Sequence, residues 1–361
     1  MTNPETFDLR QGHTISRVIK GGWQLAGDHG EVDRATAIAD MEAFVDAGIT
    51  TFDCADIYTG VEEMIGDFIA DLRNRRGTDA ANRVIVHTKL VPDLTRLEVF
   101  DQADVEAIID RSLKRLQIEQ LHLVQFYWWD MSRGHALDAL GALKQCQEKG
   151  KIANLGVNNW DAESITHFTE AGFDIAAAQV QYSVLDRRPA NTLVPWAAAN
   201  DVHLVCFGTL AGGFLTDKWL GQPDPGFSFS NRSLIKYRLI IDEFGDWDLF
   251  QTLLKTLNEI GARHEVSLSA VATRWVLDQP QVAAGIVGAR YARHLPQTLK
   301  IFDFALTDTD RAEIEAVLAL SNGPTGPVFA LESDREGRHG RIMKYNLNTN
   351  PDDQVHSARG G

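Results

Sequence analysis

The amino-acid sequence predicts an α/β fold of the (β/α)₈, or TIM-barrel, type on three observations. Eight short segments rich in β-branched and aromatic residues alternate with segments whose apolar residues recur at helical spacing. The connections between the short segments are too long for β-hairpins, which indicates parallel strands. No G-x-G-x-x-G turn follows an early strand, although that turn is typical of the alternative, an open doubly wound sheet that binds a dinucleotide. Eight units in roughly 300 residues therefore favour a closed barrel.

The eight strand segments and the clearest helices can be placed along the chain. The predicted strands cover residues 17–26, 50–56, 84–90, 121–128, 153–159, 176–182, 203–210 and 283–289. Helical spacing is clearest in residues 104–118, 135–150, 248–262 and 267–279. In the first of these helices, Leu113 and Leu116 continue the apolar spacing that begins at Val105, Ile108 and Ile109.

Two regions interrupt the alternation of strands and helices. Residues 211–247 form a long loop after the seventh predicted strand, with the Gly- and Pro-rich stretch GQPDPGFSFSN at its centre. From Ser321 onward the chain is polar and rich in Gly and Asn, and it contains the partly apolar stretch GRIMKYNLN at residues 340–348. We therefore divide the chain into a barrel domain, residues 1–320, and a C-terminal extension, residues 321–361, that docks on the barrel.

Composition and charge exclude several classes of protein. Hydrophobic residues make up 44% of the chain and charged residues 24%, as is typical of globular proteins. The net charge of −15 is opposite to that of a nucleic-acid-binding protein. Cys54, Cys146 and Cys206 form no C-x-x-C pair, so we expect buried thiols and no metal site. Without a secretion signal or an apolar stretch of ~18 residues, the sequence predicts a cytoplasmic protein with no membrane partner, and its oligomeric state stays open.

Two neighbouring strands end in residues that are suited to proton transfer. In FDCADIYTGVEEMIG, Asp53 lies inside a strand and Tyr58 at its exit, while Lys89 ends the next strand. The C-terminal ends of barrel strands meet at one rim. An ammonium would lower the pKa of the phenol from its ordinary ~10, and a carboxylate would hold that ammonium in place. The three residues predict a general acid adjusted toward neutral pH, and the alternative is a rim salt bridge beside a packing tyrosine.

These residues lie in a sequence that resembles the aldo-keto reductases, which are (β/α)₈ enzymes that use a nicotinamide cofactor without a Rossmann domain. The resemblance extends over about residues 14–320. The family's aspartate and tyrosine, five apart in a motif like DxAxxYG, match Asp53 and Tyr58 in DCADIYTG, and its third-strand lysine matches Lys89. The resemblance implies reduction of a carbonyl by hydride transfer, with Tyr58 as the general acid.

The resemblance also implies a set of cofactor-binding residues. The family's G-V-S-N-F motif appears as GVNNW, which puts Asn158 and Asn159, together with Gln179 of the sixth strand, at the nicotinamide carboxamide. Phe207 matches the aromatic residue that stacks on the nicotinamide ring. The other implied residues are Gly208 and Leu210 at the pyrophosphate and Gly288, Arg290, His294 and Gln297 at the adenosine end.

The adenosine end departs from the family pattern. The family's Glu-Asn pair is replaced by Gln297 and Thr298, whereas Arg290 remains with Arg293 and His294 close by. Cations at this place suit a 2′-phosphate, so the sequence favours NADPH over NADH. Arg293 and His294 are alternatively the solvated start of a helix.

A second departure concerns the fourth strand. The family's strand ends in a motif like DLYLIHWP, and we match its histidine to Gln125 in QLHLVQFYWW. An amide can donate a hydrogen bond to a substrate oxygen but does not titrate as an imidazole does. Gln125 is therefore included among the catalytic residues as the group that orients the substrate.

Aromatic and charged residues near the strand ends are weaker candidates. Trp23, Tyr127 and Trp128, with Trp129, are placed at the substrate, although packing would equally explain them. His87 shares the face of Lys89 and is either a site residue or a core histidine. Arg232, Lys236 and Arg238 on the long loop would meet an anionic substrate or the pyrophosphate, and the alternative is an exposed charged loop.

Three functions are compatible with these residues. The first is an NADPH-dependent oxidoreductase that interconverts an aldehyde or sugar-like carbonyl and its alcohol. The second is a cofactor-binding regulatory protein with little catalysis, like the channel-associated β-subunits on the same barrel. The third is reduction of an activated C=C bond, which some relatives achieve with another residue at the histidine position. The presence of Asp53, Tyr58 and Lys89 favours the first, and the sequence does not identify the substrate.

Overall fold

Eight parallel strands close into a barrel in the computed structural model, which describes residues 3–26, 32–288 and 291–348. An antiparallel hairpin of β1 (Thr6–Arg10) and β2 (His13–Ser16) precedes the barrel. The barrel strands are β3 (Val18–Gly21), β4 (Thr51–Asp53), β5 (Ile85–Leu90), β6 (Leu121–Phe126), β7 (Ile152–Asn158), β8 (Ala177–Gln181), β9 (His203–Phe207) and β10 (Val282–Gly288). Each pairs with the next along the chain, and β10 pairs with β3 to complete the barrel.

Helices cover the outside of the barrel between successive strands. The α-helices are α1 (Arg34–Asp46), α2 (Val61–Arg76), α3 (Thr78–Asn82), α4 (Gln102–Leu116), α5 (Ala136–Glu148), α6 (Ala162–Glu170), α7 (Arg188–Asn191), α8 (Leu193–Ala199), α9 (Arg232–Phe244), α10 (Trp247–Arg263), α11 (Leu268–Leu277), α12 (Leu295–Leu299), α13 (Asp308–Leu318) and α14 (Ala330–Ser333). Short 3₁₀ helices lie at Trp23–Leu25, Leu94–Arg96, Ala211–Gly213, Asp217–Trp219, Ala292–His294, Lys300–Phe302 and Gly340–Ile342.

The fold class predicted from the sequence is confirmed. Each of the eight predicted strand segments overlaps one barrel strand, and the four clearest helical patterns correspond to α4, α5, α10 and α11. Helix α4 shows why the spacing of apolar residues predicts a helix. Its N-terminus is fixed by a capping box between Asp101 and Asp104, and Val105, Ile109 and Leu116 are buried against the barrel.

The interior of the barrel is filled by small and branched side chains from strands on all sides. Ile19, Leu123, Val205 and Ala284 belong to one buried cluster, which also includes Ile15 of the hairpin. The hairpin therefore closes the N-terminal end of the barrel. Neither β1 nor β2 was predicted, because the hairpin lies before the first repeating unit. This closure leaves the opposite, C-terminal rim as the open end of the barrel.

Residues 211–247, predicted as a loop, contain the helix α9. Four of its apolar residues, Leu234, Tyr237, Ile241 and Phe244, recur at helical spacing. The last three are buried, while Leu234 packs against the core. The helix begins at Asn231, whose side chain accepts a hydrogen bond from the backbone N–H of Ser233. This connection therefore carries an ordered helix to the C-terminal rim.

The described part of the C-terminal extension contacts the barrel at several points. Glu332 pairs with Arg188 after β8, and Asn348 donates a hydrogen bond to the carbonyl oxygen of Val91 after β5. Between these points, Tyr345 packs edge-on against Trp129. Residues 321–348 consequently cross the C-terminal rim of the barrel.

The described residues contain neither a membrane-spanning helix nor a cluster of metal-ligating side chains. No helix in residues 3–26, 32–288 and 291–348 combines the length and apolar character needed to cross a membrane. Over the same ranges, His, Cys, Asp and Glu side chains form no group of three or more that would hold a metal ion. The three cysteines are free and buried.

Candidate active site at the C-terminal rim

Asp53 and Lys89 form a buried ion pair where β4 and β5 end. The Nζ of Lys89 lies 2.7 Å from Oδ1 and 2.9 Å from Oδ2 of Asp53, and it also donates to the carbonyl oxygen of Cys54 at 2.8 Å. Both side chains are about 5% exposed. Burial is the largest single influence and acts to lower the pKa of Lys89, but the charge and hydrogen bonds of Asp53, together with Tyr58 and Cys54, raise this pKa overall. The lysine is therefore a fixed positive charge.

Tyr58 lies in the short loop between β4 and α2, beside this ion pair. Its N–H donates to the carbonyl oxygen of Ala55 at 3.0 Å, and Gly60, with φ 76°, turns the chain into α2. Lys89 Nζ lies 5.1 Å from the centroid of the Tyr58 ring. Trp23 also packs against Tyr58, with its ring centroid 4.9 Å from that of the tyrosine. The structure thus brings the three residues predicted for proton transfer together.

The expected lowering of the Tyr58 pKa is wrong in this structure. Burial raises the pKa of Tyr58 to about 12, although the ammonium of Lys89 acts in the opposite direction. The phenol is consequently protonated throughout the physiological range. It is still a stronger acid than an aliphatic alcohol, so proton transfer to an alkoxide formed on a substrate remains favourable.

Gln125 does not occupy the place that its match to the family histidine implied. It is paired in register with Lys89, is fully buried, and donates from Nε2 to Asp53 Oδ2 at 3.3 Å. Its amide is therefore directed to the carboxylate rather than to a substrate at the barrel mouth. The reason is the strand register, since Lys89 and Gln125 are level with each other and both reach toward Asp53.

Tyr127 lies two residues beyond Gln125, closer to the mouth of the barrel. A shift of two residues in the match, from QLHLVQFY to HLVQFYWW, moves the family histidine of DLYLIHWP from Gln125 to Tyr127. The Tyr127 hydroxyl is buried without a hydrogen-bond partner in the described part of the chain. Its ring packs edge-on against Trp129 and Phe329, at centroid distances of 4.7 and 5.9 Å. The hydroxyl is thus an uncommitted polar group near the rim.

Trp128 is not a substrate residue in this structure. It packs against Phe100 and Phe126 in the outer core and donates from Nε1 to the carbonyl oxygen of Arg133. Consecutive residues of an extended chain point to opposite sides, so Trp128 faces away from the side on which Tyr127 lies. His87 also lies elsewhere, because its Nε2 is 3.1 Å from Nε2 of His13 in the hairpin. It is a core residue at the closed end.

The residues expected at the nicotinamide carboxamide are linked by hydrogen bonds to the Asp53 carboxylate. Asn158 donates from Nδ2 to Gln179 Oε1 at 2.8 Å, and Gln179 donates from Nε2 to Asp53 Oδ2 at 2.6 Å. Asn159, with φ 61°, turns the chain at the end of β7. Its Oδ1 is buried without a hydrogen-bond partner among the described residues. A carboxamide N–H₂ group is a donor of the kind that this acceptor lacks.

Phe207 and Gly208 end β9 beside helix α9. Phe207 is half-buried, and Gly208 has φ 73°. A Cβ at Gly208 would lie 2.8 Å from the Tyr237 hydroxyl, so a side chain there would collide with α9. Lys236 Nζ lies 4.9 Å above the Phe207 ring centroid. Leu210 follows in the turn, where it accepts a hydrogen bond from the N–H of Gly213.

The residues predicted for the adenosine end are only partly described. Gly288 ends β10, and a Cβ there would lie 2.5 Å from Nε2 of Gln24. His294 and Gln297 are exposed around the start of α12, where Arg293 donates to His294 Nε2 at 3.1 Å. Arg290 lies outside the described residues. The site therefore fits a nicotinamide cofactor best at the carboxamide end, where a buried acceptor needs a donor.

A buried charged cluster beside Phe207 was not predicted from the sequence. Arg188 donates to both oxygens of Asp186 and to both oxygens of Glu332, at distances between 2.6 and 3.2 Å. All three side chains are at most 2% exposed. Lys236 adds a second cation, 3.8 Å from Glu332 Oε1. Nothing in the polar sequence around Glu332 distinguishes it from the exposed acids of the extension.

Comparisons with known proteins identify the family to which this chain belongs. The model of the aldo/keto reductase family matches residues 17–319. The aldo-keto reductase YhdN of Bacillus subtilis is 28% identical over 336 residues, which cover 90% of this chain and 97% of that protein.

Two solved structures share the fold. A glycerol dehydrogenase from Gluconobacter oxydans has a TM-score of 0.74 at 24% identity, over 91% of this chain and 99% of that chain. An aldo-keto reductase from Klebsiella pneumoniae in complex with NADPH has a TM-score of 0.67 at 21% identity, over 90% and 98%.

Proposed function

Since the chain belongs to the aldo/keto reductase family, we propose that it is an NADPH-dependent oxidoreductase in which Tyr58 is the proton donor. Its reaction interconverts an aldehyde or sugar-like carbonyl and its alcohol by hydride transfer. The observation that supports this assignment best is the placement of the Tyr58 ring 5.1 Å from a lysine that Asp53 holds in the charged state. A structural salt bridge would not require a phenol next to it.

The residues of the site have separate roles in proton transfer. The bound cofactor supplies the hydride that the carbonyl carbon accepts. Tyr58 gives its proton to the carbonyl oxygen as negative charge develops there. Lys89, fixed by Asp53 and by the carbonyl of Cys54, stabilises the phenolate that remains. In the oxidising direction the phenolate takes the proton of the alcohol.

The preference for NADPH rests on the basic residues of the adenosine end. Arg293 and His294 are exposed shortly after the end of β10. Arg290 precedes them in the sequence as the last residue of the G-A-R motif that begins at Gly288. Cations at this point suit the 2′-phosphate that distinguishes NADPH from NADH. The NADPH complex of the Klebsiella pneumoniae relative supports the same choice.

One observation favours a second function, that of a cofactor-binding regulatory protein with little catalysis. The C-terminal extension crosses the rim, and Lys236 and Tyr237 of α9 lie against Phe207 and Gly208. A covered site would bind a cofactor and turn over slowly. The intact Asp53–Lys89 pair beside Tyr58 argues for the enzyme instead.

Replacement of Tyr58 by Phe tests the proposed function. We expect kcat/KM for carbonyl reduction to fall by about 10²–10⁴-fold, the usual contribution of general acid catalysis. The dissociation constant for NADPH, measured by fluorescence titration, should stay within about twofold, because the ring remains. Tyr182→Phe is the matched control, since this buried tyrosine packs against Trp275 in the outer core.

Two results would contradict the proposal. A loss below tenfold in Tyr58→Phe would mean that another group delivers the proton. A wild-type protein that binds NADPH and reduces no member of a panel of aldehydes and sugars would favour the regulatory function.

A further inference from the structure

Lys236 places a positive charge at the ring that is expected to face the nicotinamide. Its Nζ lies 4.9 Å from the Phe207 ring centroid and 5.6 Å from the Tyr237 ring centroid. The side chain is only 16% exposed. Burial lowers the pKa of Lys236, and Glu332 acts in the opposite direction. The side chain thus carries a cation into a mostly enclosed part of the rim.

The charge of Lys236 is only partly balanced. Glu332 Oε1 is 3.8 Å away, which is an ion-pair separation longer than a hydrogen bond. Both oxygens of Glu332 already accept hydrogen bonds from Arg188, at 3.0 and 3.2 Å. Arg188 is itself shared with Asp186. Lys236 is consequently the less committed of the two cations.

Helix α9 keeps Lys236 near Phe207. Ser233 accepts a hydrogen bond from Trp23 Nε1 at 3.0 Å, and Arg238 donates from Nε to Asp224 at 3.0 Å. Tyr237 packs so closely against Gly212 that a Cβ there would lie 2.6 Å from its ring. A nicotinamide ring on Phe207 would displace the ammonium by rotating the lysine side chain, while the backbone and Glu332 hold it beside the ring.

We propose that Lys236 is a specificity-determining residue that makes the site prefer the reduced nicotinamide cofactor to the oxidised one. This inference rests on the proposed function, in which the nicotinamide stacks on Phe207. The oxidised ring carries a positive charge that the ammonium repels, whereas the reduced ring is neutral. Glu332 weakens this repulsion without removing it. The preference favours binding of the reduced cofactor and release of the oxidised one, as carbonyl reduction requires.

The test is the ratio of two dissociation constants, for NADP⁺ and for NADPH, measured by calorimetric titration. In Lys236→Gln we expect this ratio to fall by about tenfold, a modest effect for two unit charges that lie a few ångströms apart beside a carboxylate. Glu332→Gln should raise the ratio, because it removes the balancing charge. Lys236→Arg should keep the wild-type ratio.

Lys218→Gln is the matched control, since Lys218 also lies over an aromatic ring, Trp219, in the same connection. Its ratio should equal that of wild type. General damage to the site would change both affinities together, so only the ratio carries the inference. If Glu332→Gln does not fold, the comparison of Lys236→Gln with Lys236→Arg still decides the question.

The results separate this inference from the proposed function. An unchanged ratio in Lys236→Gln, in a protein that binds both cofactors and reduces carbonyls, overturns the role of Lys236 alone. A protein that binds both cofactors but reduces no carbonyl overturns the proposed function, and the ratio still tests Lys236. Failure of wild type to bind either cofactor overturns both.

Discussion

At the scale of single residues, Asp53 is the point where the hydrogen bonds of the site meet. Lys89, Gln179 and Gln125 all donate to its carboxylate, Gln125 over the longest distance, 3.3 Å. We therefore expect Gln125 to act on a substrate only through Asp53. The Tyr127 hydroxyl, one residue beyond β6, has no hydrogen-bond partner among the described residues, and we expect it to bind a substrate oxygen.

We expect Tyr127→Phe to harm catalysis more than Gln125→Leu. A neutral hydrogen bond contributes roughly 0.5–1.5 kcal/mol, so the loss of the Tyr127 hydroxyl should lower kcat/KM by about two- to twelvefold, mainly through KM. Gln125→Leu keeps a buried side chain of similar bulk and removes one long hydrogen bond to a carboxylate that has two closer donors. Its effect should be smaller. Steady-state kinetics with NADPH would show the order, and a larger effect of Gln125→Leu would contradict it.

The proximity of Asp53, Tyr58 and Lys89 could be predicted from the sequence, but the pKa of Tyr58 could not. Their spacing in FDCADIYTG and the end of β5 define the rim on which they meet. The sequence indicates the attraction of Lys89 for the phenolate but not the burial of the phenol, which has the larger effect on the pKa of Tyr58. Burial depends on Trp23 and on residues far along the chain, and spacing does not reveal it.

At the scale of elements, the repeating strands and helices of the barrel could be predicted from the sequence, whereas the elements outside this repeat could not. Each barrel unit repeats the same hydrophobic pattern, so one unit supports the interpretation of the next. Helix α9 carries a helical pattern, but the Gly- and Pro-rich stretch before it made the whole connection look like a loop. The Lys236–Phe207 contact depends on this helix.

Asp56 joins the β4–α2 loop to the end of the C-terminal extension. It accepts hydrogen bonds from Val91 N and Asn348 Nδ2, both at 3.2 Å. Arg111 lies 3.6 Å away. Burial, and then the charge of Glu62, raise the pKa of Asp56 to about 7. This acid therefore titrates close to neutral pH.

The raised pKa of Asp56 makes a prediction for stability against pH. Between pH ~4 and ~7 the folded chain holds a proton on Asp56 that the unfolded chain releases, so this residue lowers the free energy of unfolding as pH rises through that window. Asp56→Asn removes this dependence. We expect the fall in unfolding free energy from pH 5 to pH 8 to be smaller in Asp56→Asn by about 1–3 kcal/mol.

Denaturant unfolding at the two pH values measures this difference. The control is Asp67→Asn. The hydrogen bond of Arg34 lowers the pKa of this exposed carboxyl, so Asp67 does not titrate between pH 5 and pH 8. If the unfolding free energy depends equally on pH in wild type and in Asp56→Asn, Asp56 is ionised in the folded chain throughout the range from pH 5 to pH 8.

At the scale of the whole molecule, the C-terminal extension is the element that joins distant parts of the rim. Its contacts reach Arg188 after β8, Trp129 after β6 and Asp56 after β4. Val328 is buried in the main hydrophobic core. We propose on these contacts that the extension folds with the barrel as one cooperative unit, although its sequence is distinct from residue 321 onward.

Truncation of the extension tests whether it folds with the barrel as one cooperative unit. A chain that ends at residue 348 keeps every contact described above, so its unfolding free energy should stay within about 0.5 kcal/mol of wild type. A chain that ends at Gly326 loses Glu332, which leaves Arg188 with Asp186 alone and removes the carboxylate nearest Lys236. Loss of one partner from a buried ionic network typically costs about 3–5 kcal/mol. Urea unfolding followed by tryptophan fluorescence should therefore show a single transition for all three chains, shifted to lower urea only in the shorter truncation. Equal midpoints for all three would mean that the extension is an appendage, and that the charges around Phe207 are arranged without it.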